Sequence, residues 1–296
     1  MITIENDELR VAVAPHYGAR VTSLFDKRAG REWLTQGIES RNVGEEAPYG
    51  SPEAVGWDEC FPTVSPYEAG GTPWRRRLRD HGDLWGRAFD VEALTATSAT
   101  LGFAAREFRF VRSLTVDGPV LRADYRVDNL GAEPLPYLWA LHALLAVDSG
   151  DRLELPGVAS VRATYLSLNG ATIPGGELPW PGLDGRLPFS LDAVQPRSTA
   201  FAAKLLLGDT QGSARIGRPG QWLEMAWSAP IRAAGVWITY GGWPQPGGHQ
   251  EVAIEPTSSA ADHLGQAIDA GAASIPAGGW HEWTVTLSVA ADATGA

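Results

Sequence analysis

Leu121-Arg122-Ala123-Asp124-Tyr125-Arg126-Val127-Asp128 decides the fold class, because its apolar residues alternate strictly with charged ones. Successive side chains of a strand point to opposite faces, so this stretch predicts a strand with one face in a core and the other in water. Working outward, Trp283-Thr284-Val285-Thr286-Leu287-Ser288-Val289 alternates in the same way. Glu107 to Val116 does too, placing Phe108, Phe110, Leu114 and Val116 on one face with Arg112 among them. A buried arginine needs a carboxylate partner, so Arg112 predicts an ion pair in the core. Turn chemistry punctuates the runs at Asp117-Gly118-Pro119, Asn129-Leu130-Gly131, Asn169-Gly170, Pro174-Gly175-Gly176 and Ala277-Gly278-Gly279. Many short strands with such turns predict an all-β chain, a large antiparallel β-sandwich with at most one or two short helices. The helix candidate runs from Ser258 to Gly271, with Ser259 as its cap and Gly271 as its end. Pro174 to Pro188 resembles a linker, yet strand-like sequence continues on both sides, so residues 1–296 are expected to form a single domain.

Composition narrows the function. The 296 residues carry 24 basic and 35 acidic side chains, a net charge of −11. That balance excludes the concentrated basic surface a nucleic acid or an anionic membrane requires. The basic residues are 22 arginines and two lysines, Lys27 and Lys204. A single cysteine, Cys60, excludes an intrachain disulfide framework and a Cys-rich zinc site. Met1 to Glu8 is acidic and lacks the apolar run of a secretory signal, and Leu135 to Val147 is too short to span a bilayer. A cytoplasmic protein is the resulting expectation. The twelve tryptophans are read mainly as core residues, although flat indole faces also suit the apolar faces of sugar rings.

No phosphate-cradling glycine loop, nucleophile elbow or helix-borne His-x-x-x-His pair occurs. Four places remain for chemistry. They are Trp57-Asp58-Glu59-Cys60, Asp80-His81-Gly82-Asp83-Leu84-Trp85, His142 within Trp139-Ala140-Leu141-His142-Ala143, and Glu255 directly before Pro256. Each has a structural reading: a core histidine, a turn histidine, loop acids, a rim charge. If they converge on one sheet, two histidines and a carboxylate make an acid–base set that works near neutral pH.

Taken in order, these segments resemble the galactose mutarotase-like superfamily, which includes aldose 1-epimerases and glucose-6-phosphate 1-epimerases. The resemblance runs from Gly18-Ala19-Arg20-Val21-Thr22-Ser23-Leu24 through Cys60-Phe61-Pro62, His81-Gly82, Leu121 to Asn129, Trp139-x-x-His142 and Leu155-Pro156 to Ala253-Ile254-Glu255-Pro256-Thr257. It implies the family's supersandwich, with the site on a sheet face, and a sugar substrate without metal or cofactor. By position it implies Glu255 as general base, His142 as general acid and His81 as the group that holds the ring oxygen. Trp57, Asp58, Glu59, Trp85 and Arg87 are expected sugar contacts by proximity to the matched motifs, and Asp209 is a candidate for a substrate-positioning aspartate. Arg75-Arg76-Arg77 is read either as a phosphate contact or as a solvated loop. The expected function is interconversion of the α and β anomers of a sugar. The alternatives are a sugar-phosphate 1-epimerase, a non-catalytic carbohydrate-binding or sensing protein on the same fold, or a polysaccharide-active enzyme, which would want a second carboxylate.

Overall fold

The alternation becomes structure strand by strand. In the computed structural model, described for residues 1–37, 48–182, 184–245 and 247–290, Val120–Asn129 is a strand with Leu121, Ala123, Tyr125 and Val127 buried and Arg122 exposed. It pairs antiparallel with Phe108–Asp117 through the Gly118-Pro119 turn and with Trp280–Ala290 on its other side. Gly118 has φ +51°, a left-handed conformation in which glycine pays no Cβ penalty. These strands are the middle of an eight-stranded sheet in the order Arg152–Glu154, Ser213–Arg218, Gln221–Trp227, Trp280–Ala290, Val120–Asn129, Phe108–Asp117, Ser98–Ala104, Asp90–Leu94.

A second sheet of twelve strands covers it. Its main path is Ile2–Glu5, Leu9–Ala14, Arg20–Asp26, Trp57–Cys60, Ala140–Ala146, Gln250–Thr257, Ala233–Tyr240, Phe201–Leu207, Ser160–Leu168, Ala171–Thr172. One hydrophobic cluster draws buried residues from both sheets, among them Trp57, Leu141, Val252 and Ile254 from one and Phe110, Leu114, Tyr125 and Trp283 from the other. The architecture is the all-β antiparallel sandwich that the period-two pattern predicts.

Three local expectations resolve here. Arg112 is buried and bonded to Glu59 at 2.8 Å. The Pro174–Pro188 stretch holds a strand, Gly176–Pro179, paired with Ser160–Leu168. The helix is shorter than expected, Leu264–Asp269, and its cap is His263, whose imidazole accepts the Gln266 N–H. Ser259 lies five residues before the helix, at the strand end, where its carbonyl accepts from the Thr257 hydroxyl at 3.1 Å. Gly271 does end the helix: its N–H donates to Ile268 O and that of Ala272 to Ala267 O, the paired bonds of a Schellman stop.

Candidate active site

Distant parts of the chain meet at the centre of the twelve-stranded sheet. His142 lies in register with Asp58. Ala143 pairs with Ile254, which sets His142 beside Glu255. Glu255 in turn lies opposite Gly235, and the pairing of Val21 with Trp57 puts Arg20 beside Asp58. Residues in register share a face, so Arg20, Asp58, His142, Glu255 and Gly235 form one row across the sheet. Cβ atoms of neighbours in such a row stand about 4.5–5.5 Å apart. The intervening residues Trp57, Leu141, Ala143 and Ile254 enter the core, so the row faces away from the eight-stranded sheet.

A cavity of about 370 Å³ lies over this row. His81, His142, Glu255 and Lys204 line it together with an aromatic group, Tyr165, Trp237 and Trp243, and a polar group, Ser65, Asp80 and Asp262. The Tyr165 and Trp237 rings lie 6.1 Å apart at 24°, and Trp243 meets Trp237 edge-on. Trp237 and Trp243 are half-buried at the wall of this cavity, outside the core role expected of most of the twelve indoles.

Partners fix the chemistry of each group. His142 Nδ1 is 2.9 Å from Asp58 Oδ1. Burial would raise the Asp58 carboxyl, but Arg20 beside it and the His142 hydrogen bond outweigh that and hold it below the ordinary carboxylate range. Against an ionised carboxylate Nδ1 must be the donor, which leaves Nε2 as the uncommitted nitrogen. Tyr49 donates its hydroxyl to Glu53 O at 3.0 Å and lies 3.2 Å from the same Nδ1. The Tyr49 ring also stacks on His81, with centroids 3.7 Å apart and planes 7° from parallel. His81 bonds Asp80 at 3.0 Å and stands 5.0 Å from His142, ring to ring. Burial pushes the His81 imidazole below the ordinary histidine value, with Asp80 pulling the other way. Glu255 is buried; its Oε2 is bonded to the Lys204 ammonium and its Oε1 has no hydrogen-bond partner.

His81 reaches the cavity through strained backbone. It has φ +57° and is followed by Gly82 at φ +71°, where a Cβ would lie 2.1 Å from Phe61 O. Only glycine allows this approach, and the Phe61–Gly82 bridge it permits anchors the loop to the sheet.

The other expected contacts are placed differently. Trp57 and Glu59 point into the core, because strand parity puts them opposite Asp58; Trp57 Nε1 donates to Glu59 Oε1 at 3.0 Å. Asp58 is on the site face but almost fully buried, so it meets His142 and Arg20. Trp85 is buried beside Tyr49 and donates to Asp80 O, and Arg87 is half-buried; neither lines the cavity. Asp209 is exposed and pairs with Arg232. Arg75, Arg76 and Arg77 pair with Glu133, Asp83 and Glu68, away from this cavity. Burial pushes the Cys60 thiol well above its ordinary value, which argues against a thiolate nucleophile.

Sequence reasoning missed Arg20, Tyr49, Lys204 and Gly235. A signal existed for Lys204, a lone charge in Phe201-Ala202-Ala203-Lys204-Leu205-Leu206-Leu207, as for Arg112. Among the described residues, no group of three or more His, Cys, Asp or Glu is arranged to hold a metal ion, and no helix is long and apolar enough to cross a membrane.

Known structures share the overall fold. A galactose mutarotase-like protein from Lactobacillus casei ATCC 334 matches with a TM-score of 0.70 at 16% identity, covering 98% of this chain and 100% of its own. The fold is that of the galactose mutarotase-like proteins. A galactose mutarotase related enzyme from Lactobacillus acidophilus has the same fold, with a TM-score of 0.68 at 16% identity over 99% and 98% of the two chains. The galactose 1-epimerase of L. acidophilus NCFM aligns with a TM-score of 0.58 at 13% identity over 98% and 94%. No protein-family model and no curated protein matches the chain. In this mutarotase-like fold the row from Arg20 to Gly235 crosses the middle of the larger sheet.

Proposed function

We propose that the protein is an aldose 1-epimerase-like isomerase that interconverts the α and β anomers of an uncharged sugar. The observation that carries this is the pairing, on adjacent strands over one cavity, of a buried carboxylate with a free oxygen and an imidazole held through Nδ1. Glu255 Oε1 takes the proton of the anomeric hydroxyl. His142, protonated on Nε2, gives its proton to the ring oxygen as the bond from that oxygen to the anomeric carbon breaks, and His81 holds the ring oxygen. The aldehyde turns about its bond to the next carbon. Closure on the other face returns the proton from the ring hydroxyl to His142 and the Glu255 proton to the new anomeric oxygen. Protons balance over the cycle, and each group acts as acid in one direction and base in the other.

The charge of the cavity supports a free sugar over a phosphorylated one. Among the described residues that line it, Lys204 is the one lysine or arginine, and Glu255 already takes its charge. The half-exposed Tyr165, Trp237 and Trp243 rings suit the apolar face of a pyranose.

Polarimetry after dissolving pure α-glucose or α-galactose tests this, with wild type and Glu255→Gln side by side. Acceleration by wild type that drops about 10²- to 10⁴-fold in the variant is the expected result. Equal acceleration by both removes Glu255 as the base. No acceleration of any free aldose, with activity on glucose 6-phosphate, replaces this reading with the sugar-phosphate one; binding without acceleration replaces it with a sensor.

A further inference from the structure

The geometry points to Lys204 as a positioning residue that clamps the Glu255 carboxylate, and to Gly235 as the residue whose missing side chain makes the clamp possible. This deepens the reading of Glu255 as the base and rests on it.

Lys204 is a partly buried cation on Phe201–Leu207, its side chain 14% exposed. In register it lies between Tyr165 and Trp237, whose rings stack 6.1 Å apart. Its ammonium does not stay in that row. It crosses to the next one and bonds Glu255 Oε2 over the position of Gly235. A Cβ built on Gly235 would lie 2.5 Å from Glu255 Oε2 and 3.2 Å from Lys204 Nζ, so every other residue would push the pair apart.

The backbone gives no other reason for glycine here. Gly235 is absent from the positions of positive φ and sits in the middle of the strand Ala233–Tyr240, where glycine only weakens pairing. Space for the ion pair is what the substitution of a side chain by a hydrogen provides. The neighbouring strand supplies the same logic on the other flank, where Arg20 holds Asp58 and Asp58 holds His142. Each of the two proton-transfer groups is thus fixed by a cation or carboxylate from outside the reacting pair. For Glu255, one oxygen is committed to Lys204 and the other has no hydrogen-bond partner. A base held this way keeps its near-attack orientation, and a displacement of about 1 Å costs on the order of 10²-fold in rate.

Two lysines in the chain make the clamp directly observable, because protein labelled at the lysine ε position gives two side-chain signals, Lys27 and Lys204. Lys204→Arg assigns them. In wild type the Lys204 ammonium protons are expected to exchange with water more slowly than those of Lys27, and in Glu255→Gln and Gly235→Ala they lose that protection. Equal exchange of both lysines in wild type, or a Lys204 signal unmoved by both substitutions, overturns the clamp. Kinetics test its use: Lys204→Met lowers kcat for free aldoses about 10- to 100-fold with KM little changed. Lys204→Arg recovers part of the loss, and Gly235→Ala reproduces it with the lysine still present. Lys204→Met and Gly235→Ala turning over at the wild-type rate, or losing only thermal stability, overturn the positioning role. If wild type accelerates no sugar, the function reading falls, and the exchange measurement still decides the clamp.

Discussion

Asp58 and Glu59 are adjacent residues with the same chemistry, yet they belong to two different machines. Glu59 faces the core and is saturated: Oε1 accepts from Trp57, Arg112 and Tyr125 at 3.0, 2.8 and 2.9 Å, and Oε2 from Trp139 at 2.9 Å. Asp58 faces the other way, into the row that includes Glu255, whose Oε1 has no partner. Burial does not separate the two regions, since Glu59 is 1% exposed and Glu255 3%. Satisfaction does. A buried polar network with every acceptor filled fixes the packing of two sheets, whereas Glu255, on the wall of the cavity, keeps one oxygen without a hydrogen bond.

The pKa directions follow the same division. Burial pushes the Glu59 carboxyl up against the pull of Arg112, while Arg20 and His142 hold Asp58 down. A raised carboxyl stabilises the fold most when protonated and gives that up as pH rises. A depressed one stabilises above its unfolded value and is lost as pH falls through its folded value. Asp58, not Glu59, therefore makes the fold sensitive to acid.

Four measurements break or sharpen this contrast. The largest effect is expected from Arg112→Met, which leaves Glu59 buried without its cation and costs about 3–5 kcal/mol in denaturant unfolding. Mutarotation per folded molecule is unchanged; a matching loss of rate would erase the distinction between core network and site. Asp58→Asn should lose stability as well, because Arg20 is left buried. It should also slow mutarotation about 10- to 100-fold, the worth of a charge-assisted bond of about 1.5–3 kcal/mol to the acid, and a stability loss without a rate loss would count against the tether. Tyr49→Phe keeps the stack on His81 and removes the hydroxyl that meets Glu53 O and the His142 ring, a loss of about 1 kcal/mol or roughly a fivefold drop in rate. Tyr49→Ala removes both and should fall further; equality of the two would leave the stack without a role. The smallest effect is in pH. His81, held below the ordinary histidine value by burial, stays neutral in the fold and contributes stability above its unfolded value that fades as pH falls. Its ring proton resonance should titrate below the ordinary histidine value, and Asp58→Asn should flatten the acid limb of stability.

The sandwich was legible because alternation is a local property. Leu121 to Asp128 needs no distant partner to declare one wet and one dry face, and Arg112 on a dry face announced its carboxylate. His81, His142 and Glu255 stood out as residue types in unusual settings, and they do share one cavity. Trp57 and Glu59 were misplaced by a single step of parity, since a shift of one residue along a strand moves a side chain to the other face. The helix cap was misplaced because the helix starts at Leu264, five residues past Ser259, where His263 supplies the cap.

The sequence by itself determined the period of two, the turns and the antiparallel strand class, because each is set by residues within one strand or loop, and the family resemblance added acid–base roles to His81, His142 and Glu255. The tertiary structure decided which residues became neighbours. It alone put Arg20, Asp58, His142, Glu255 and Gly235 in one row from five separate strands, laid Tyr49 on His81 and brought Lys204 across a glycine to Glu255. Register between strands is fixed by the packing of the whole sheet, and no short stretch of chain carries it.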